Sequence, residues 1–216
     1  KRLTMFVLRS KVTVRDMSEA WSIYGALEPI AQALPHLPAD AIALAMQTPE
    51  DSNPMKRIVF ASQMTVDAQA NASAWNMAEV LSGIPRIVAA TQDQFVPQMV
   101  NLESVGGVDF KKGCYPGQEV VARSQYRGAI KRRLFLAKAQ TPIESCPPGT
   151  EIFHEEDPGQ PAGMVVLSTP NLNNPLWIDI QIECKSELAQ SSKLHLGEAS
   201  GPSLELGKLP YSLVEI

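Results

Sequence analysis

Only three cysteines occur in the 216 residues, at positions 114, 146 and 184, and no two stand close together. An odd, widely spaced set excludes a disulfide framework. Without a paired spacing the chain by itself offers no zinc or iron–sulfur cluster. Apolar runs are short: none reaches eighteen residues, so no segment reads as a membrane-spanning helix. Charged residues make up 19%, less than the usual quarter, yet 44% hydrophobic composition excludes an intrinsically disordered chain. Thirteen glycines and seventeen prolines show no triplet period, which excludes collagen. Acids outnumber bases 23 to 19, and a net charge of −4 weighs against a general nucleic-acid binder. What remains is the composition of a cytoplasmic globular protein, of a size for one large domain or two small ones.

The chain begins Lys1-Arg2-Leu3 without an initiating methionine. A basic start before Leu3–Leu8 has the order of a signal peptide, but six apolar residues are too few, and Arg9 and Lys11 close the run. It reads better as a strand inside a domain, with an N-terminal part of the protein absent.

Strands are expected at Leu3–Leu8, Lys11–Val14, around Trp21, Ile23 and Gly25, and at Ala41–Met46 and Arg57–Ala61. Glu28–Leu34 reads as a short helix stopped by Pro35 and Pro38. Residues 67–81 read as a longer one, with Ala74, Met77, Ala78 and Leu81 at helical spacing and Gly83 beyond its end. Strands and helices without a βαβ rhythm indicate α+β over residues 1–130. Over 131–216 the expected elements are short strands, at 134–137, 151–154, 164–167, 177–182 and 204–206. Strong turn formers separate them, and no helix of useful length is evident. This is the pattern of a small antiparallel β-barrel.

One segment departs from the average. Residues 109–133 hold Lys111, Lys112, Arg123, Arg127, Lys131, Arg132 and Arg133 against only Asp109 and Glu119. That net +5 leaves the other 191 residues at −9, so an anion of modest size prefers this place. Lys112-Gly113-Cys114-Tyr115-Pro116-Gly117-Gln118-Glu119 leads into a helical stretch at 120–126, with Pro116 suited to the first helical turn. Two lysines upstream and a helix start downstream favour thiolate over thiol, which makes Cys114 a candidate reactive group. Glu119, Arg123 and Arg127 are spaced four apart on one helix face. Bland readings stand beside these: a lone cysteine is often a small buried apolar residue, and an acid–arginine ladder is often a solvated face. His36, His154 and His195 have no metal-site spacing.

Lys111-Lys112-Gly113-Cys114-Tyr115-Pro116-Gly117-Gln118-Glu119, followed by Val121-Ala122-Arg123 and Tyr126-Arg127-Gly128, closely resembles the signature of the YgfZ family of folate-binding proteins. Phe95-Val96-Pro97-Gln98, Asn101-Leu102 and the ending Leu209-Pro210-Tyr211-Ser212-Leu213 match the same family. That family is related to the glycine-cleavage T-protein (aminomethyltransferase), which carries an acid where Cys114 stands. The resemblance implies a T-protein-like folate-binding domain lacking its N-terminal part, over 1–130, followed by a C-terminal β-barrel domain over 131–216. It implies tetrahydrofolate or a derivative as cofactor, and support of iron–sulfur enzymes such as tRNA methylthiotransferases. By position, Lys112, Gly113, Tyr115, Gly117, Gln118 and Glu119 form the signature loop around Cys114, and Lys111, Arg123 and Arg127 are the candidate folate contacts. Many T-protein relatives place an acid two residues before the glycine at a helix end. Here Leu81 occupies that place before Gly83, with Glu79 two residues earlier. Two other classes are carried beside the accessory role: a folate-dependent one-carbon transferase, and an RNA-binding module with Tyr115 and Tyr126 as ring platforms. The negative remainder of the chain argues against direct nucleic-acid binding.

Overall fold

The computed structural model describes residue 7 and residues 11–29, 37–46, 55–67, 72–126, 130–189, 191 and 193–214. Three strands, β1 (Ser22–Pro29), β2 (Ile42–Ala45) and β3 (Met55–Ser62), form an antiparallel sheet in the order β1-β3-β2. Tyr24 lies opposite Phe60, and their rings stack with centroids 5.2 Å apart.

Helix α1 (Ala72–Leu81) packs between this sheet and the next. Its Trp75 ring lies across β1 at Gly25, where an added Cβ would stand 2.7 Å from the indole, so only glycine admits the contact. From the same side the Arg57 guanidinium faces the Trp75 ring at 5.6 Å. Val80 turns the other way, into a cluster with Val100, Leu134, Val166 and Leu167.

The remaining strands are β4 (Arg132–Ala139), β5 (Glu151–His154), β6 (Gly163–Pro170), β7 (Ile178–Lys185), β8 (Leu194–Leu196) and β9 (Glu205–Leu206). They make one antiparallel sheet in the order β8-β5-β6-β7-β4-β9. It curls around Ile152, Val165, Ile178, Ile180, Ile182, Cys184 and Leu194. Strand β7 explains how polar residues can be fully buried. Ile178, Ile180 and Ile182 face the inner core, while Asp179, Gln181 and Glu183 alternate onto the face that α1 covers. Each polar side chain there has one partner, Asn171 for Asp179 Oδ2, Arg132 for Glu183 and the α1 terminus for Gln181 Nε2, while Asp179 Oδ1 and Gln181 Oε1 are buried without one. Gln181 Nε2 donates to the carbonyls of Glu79, Val80 and Ile84, satisfying groups that the end of a helix leaves open.

The mixture of helix and antiparallel sheet agrees with α+β, with corrections. The second sheet is a half-barrel with β8 and β9 as its two edges, not a closed barrel. Lys11–Val14 form no strand, and Glu28 belongs to β1 instead of opening a helix. The rest of that expected helix, residues 30–34, lies outside the described residues, as does Leu3–Leu8 except for residue 7. The short β8 and the single helical turn α3 (Ser186–Ala189) were not anticipated; three or four residues carry too little periodicity to read.

Candidate functional site

The segment 109–126 leaves the body of the molecule as a loop and returns as a helix. Asp109 Oδ1 accepts the Lys111 backbone N–H at 2.8 Å, which shapes the loop entry. Further on, the Tyr115 carbonyl accepts the Gln118 N–H at 3.3 Å across Pro116 and Gly117. Gly117 has φ +82°, so this is the arrangement of a type II turn, proline second and glycine third. Gln118 Oε1 accepts the Tyr115 N–H at 3.3 Å and closes the turn from its far side. Pro116 therefore lies in the turn ahead of helix α2 (Gln118–Tyr126), not in its first turn as the sequence suggested.

The turn sets the signature residues outward. Lys111, Lys112, Gly113, Cys114, Gly117 and Glu119 are exposed, while Tyr115 and Gln118 are half-buried. Lys112 Nζ sits 4.4 Å from the centre of the Tyr115 ring. Phe110 and Tyr126 meet edge to face at 6.1 Å, joining the loop entry to the helix end. Glu119, Ala122, Arg123 and Tyr126 line a shallow open groove along α2. Glu119 and Arg123 share that face. Arg127 lies outside the described residues.

Helix α2 is thinly attached. Val121 is its one buried side chain. The second anchor is Gln98, from the 3-10 turn Pro97–Val100, whose Nε2 donates to the Val121 carbonyl at 2.8 Å and to Gln125 Oε1 at 3.4 Å. Burying one valine is worth roughly 1.5–3 kcal/mol. A net hydrogen bond of about 1 kcal/mol is therefore a large share of what holds this helix.

Below that turn lies a buried polar network. Arg133 on β4 pairs with Glu103 and donates to the Gln98 carbonyl at 3.2 Å. Asn101, in the left-handed region at φ 59°, donates through Nδ2 to the Leu134 carbonyl at 2.9 Å. Tyr211 Oη accepts from the same Nδ2 at 3.3 Å and donates to the Gly83 carbonyl at 2.7 Å. Burial pushes the Tyr211 phenol up to about 12, so it remains a donor through the physiological range. The sequence offered Gln98, Asn101 and Tyr211 as points of resemblance without a physical task. Glu103 was not singled out, because a lone acid in a loop carries no pattern.

The basic segment is less uniform than its charge count. Arg132 is engaged by Glu183, whose carboxylate raises the guanidinium pKa further, and Arg133 is internal with Glu103. Of the seven basic residues, Lys111, Lys112, Arg123 and Lys131 remain exposed among the described residues. Lys111 and Lys112 lie on the loop, Arg123 on α2, and Lys131 just before β4.

The three cysteines divide sharply. Cys146 and Cys184 are fully buried, and desolvation pushes both thiols up to about 12. Cys114 is the exposed one. Glu79, the acid nearest the T-protein pattern, is also committed. Arg86 binds it through two nitrogens at 2.8–3.0 Å, and Arg57 Nη1 stands 3.7 Å away. Lys111, Lys112 and Arg123 are exposed cations of the kind that bind carboxylates. Neither Leu81 nor Glu79 offers an uncommitted carboxylate.

No protein-family model matches this chain. Among curated proteins it is 38% identical over 160 residues to the tRNA-modifying protein YgfZ of Photorhabdus laumondii, covering 72% of this chain and 48% of that one. It is 37% identical over 152 residues to the protein of that name from Cronobacter sakazakii, covering 69% and 45%. With the one from Yersinia pestis it shares 32% over 181 residues, covering 83% and 52%. The chain thus spans about half the length of the curated relatives it matches. The signature loop read from the sequence and the matches across most of the chain agree: this chain belongs to the YgfZ family.

Proposed function

We propose that this chain is part of a tetrahydrofolate-binding accessory protein that acts in tRNA modification, by supporting the iron–sulfur enzymes that methylthiolate tRNA. The observation that carries the reading is the loop at 109–119. It holds the one exposed cysteine, with Lys111 and Lys112 beside it and Arg123 on the following helix, all turned away from the core. The relatives named as tRNA-modifying proteins support the biological setting.

In this reading Lys111, Lys112 and Arg123 hold the glutamate end of the folate, and Cys114 presents an accessible sulfur beside it. The folate, when bound, supplies a one-carbon carrier. The engagement of Glu79 by two arginines favours the accessory role over a one-carbon transferase, which needs a free acid or base near the folate nitrogens.

Calorimetric titration tests the cofactor. Tetrahydrofolate and its p-aminobenzoyl-glutamate fragment are both expected to bind, because the contacts assigned here are to the tail. Arg123→Ala and Lys112→Ala are each expected to weaken both about tenfold. Absence of binding, or affinity unchanged in both variants, overturns the folate assignment. For the biological role, cells lacking the protein should show less methylthiolated nucleoside in bulk tRNA, with Cys114→Ser failing to restore it. Unchanged modification in such cells overturns that part.

A further inference from the structure

We propose that Gln98 is a positioning residue: its buried amide fixes where helix α2, and with it the Cys114 loop, stands relative to strand β4. The inference rests on the reading of the 109–119 loop as the working part of the molecule.

The chain of contacts is continuous. Arg133 and Asn101 tie the 97–101 turn to β4, through the Gln98 carbonyl at 3.2 Å and the Leu134 carbonyl at 2.9 Å. From the other side of that turn, the Gln98 side chain, 1% exposed, reaches the middle of α2. Both protons of its amide are used, one toward the Val121 carbonyl and one toward Gln125 Oε1. The Val121 carbonyl fixes which way the amide points, since a flipped Gln98 oxygen would face that carbonyl oxygen; as placed, Gln98 Oε1 is buried without a partner. A helix carbonyl has two lone pairs, so Val121 takes this bond without giving up its place in the helix. Seven residues before Val121 stands Cys114, on a loop otherwise tied down by its own turn.

A second glutamine supplies the contrast. Gln181 makes three such bonds to the end of α1, but that helix is already held between two sheets. Removing the amide of Gln181 costs stability without moving an element. At α2, where Val121 is the sole buried side chain, the amide decides position.

The test compares Gln98→Met with Gln181→Met, both near in size and unable to donate. Amide hydrogen exchange across residues 121–126 is read together with the iodoacetamide rate at Cys114 and the thermal midpoint. Gln98→Met is expected to speed exchange in α2 about tenfold and to change the Cys114 rate. Gln181→Met is expected to lower the midpoint at least as far and leave both local readings as in the parent. If α2 exchange and the Cys114 rate are unchanged in Gln98→Met, or change equally in Gln181→Met, the proposal fails. Should Gln98→Met not fold, Gln98→Asn, one methylene too short to reach the Val121 carbonyl, carries the same expectation and the same overturning result. None of these readings uses folate, so failure of the cofactor assignment leaves them intact.

Discussion

The guanidinium of Arg133 is paired with the carboxylate of Glu103, and both side chains are almost sealed from solvent, at 8% and 1% exposure. Thirty residues separate them in sequence, and between them runs the whole exposed loop and α2. A buried pair of this kind is costly to halve. Arg133→Met is expected to destabilise the fold by about 3–5 kcal/mol, because it leaves Glu103 charged and unpaired. The double change Arg133→Met with Glu103→Leu should recover part of that loss. Denaturant unfolding of the three proteins checks it, and a double variant no better than the single one contradicts it.

Cys114 should react with iodoacetamide at neutral pH while Cys146 and Cys184 stay unmodified until the protein unfolds. Two effects act together on the buried pair: reagent cannot reach them, and thiols pushed up to about 12 hold very little thiolate at pH 7. Mass spectrometry of tryptic peptides after timed quenching gives the three rates. Equal rates in the folded protein would contradict the assignment of Cys114 as the accessible sulfur.

Two glycines in the signature loop should respond differently to alanine. Gly117 occupies φ +82°, where a Cβ is strained even in open space, so Gly117→Ala should cost about 1 kcal/mol or more. An added Cβ at Gly113 meets nothing within 4 Å, and its φ lies outside the positive region. Gly113→Ala should therefore leave the thermal midpoint unchanged or raise it slightly. If Gly113→Ala instead weakens folate binding at unchanged stability, that glycine serves approach to the ligand and not the fold.

Asp179 carries a pH signature. Burial raises its pKa above the ordinary 3.8, while Lys138 and the bond from Asn171 partly oppose the shift. The folded state therefore holds this proton to higher pH than the unfolded chain does. Its contribution to stability declines as pH rises from about the ordinary value through the raised one. Asp179→Asn keeps an acceptor for Asn171 and removes the buried charge. It should raise the thermal midpoint at neutral pH, with the gain vanishing in acid. A midpoint difference independent of pH would show that the charge is not the cause.

How much of this was legible beforehand depends on the kind of signal. The strands around Tyr24 and Phe60, the α1 helix ending before Gly83, and β4 to β7 announced themselves by periodicity and turn residues. Cys114 was legible as a candidate reactive thiol from its flanking lysines and helix start, but not its outward setting, since a lone cysteine is often buried. Nor was the fate of the basic residues legible. Arg132 and Arg133 sit in the same run as Lys131, and nothing local distinguishes a cation at the surface from one sealed against Glu183 or Glu103, 51 and 30 residues away. Gln98 and Gln181 were hidden for the same reason. Their task is to satisfy backbone carbonyls of distant helices, and a glutamine's destination is written in the fold around it.

The bond from Tyr211 Oη to the Gly83 carbonyl spans 128 residues, and Val214 N–H to Ser104 Oγ spans 110. During synthesis the residues around Gly83 and Asn101 leave the ribosome long before their partners exist. The contacts of Gly83, Asn101 and Ser104 with the C-terminal segment can therefore close only late in synthesis, after those of the 97–101 turn with β4.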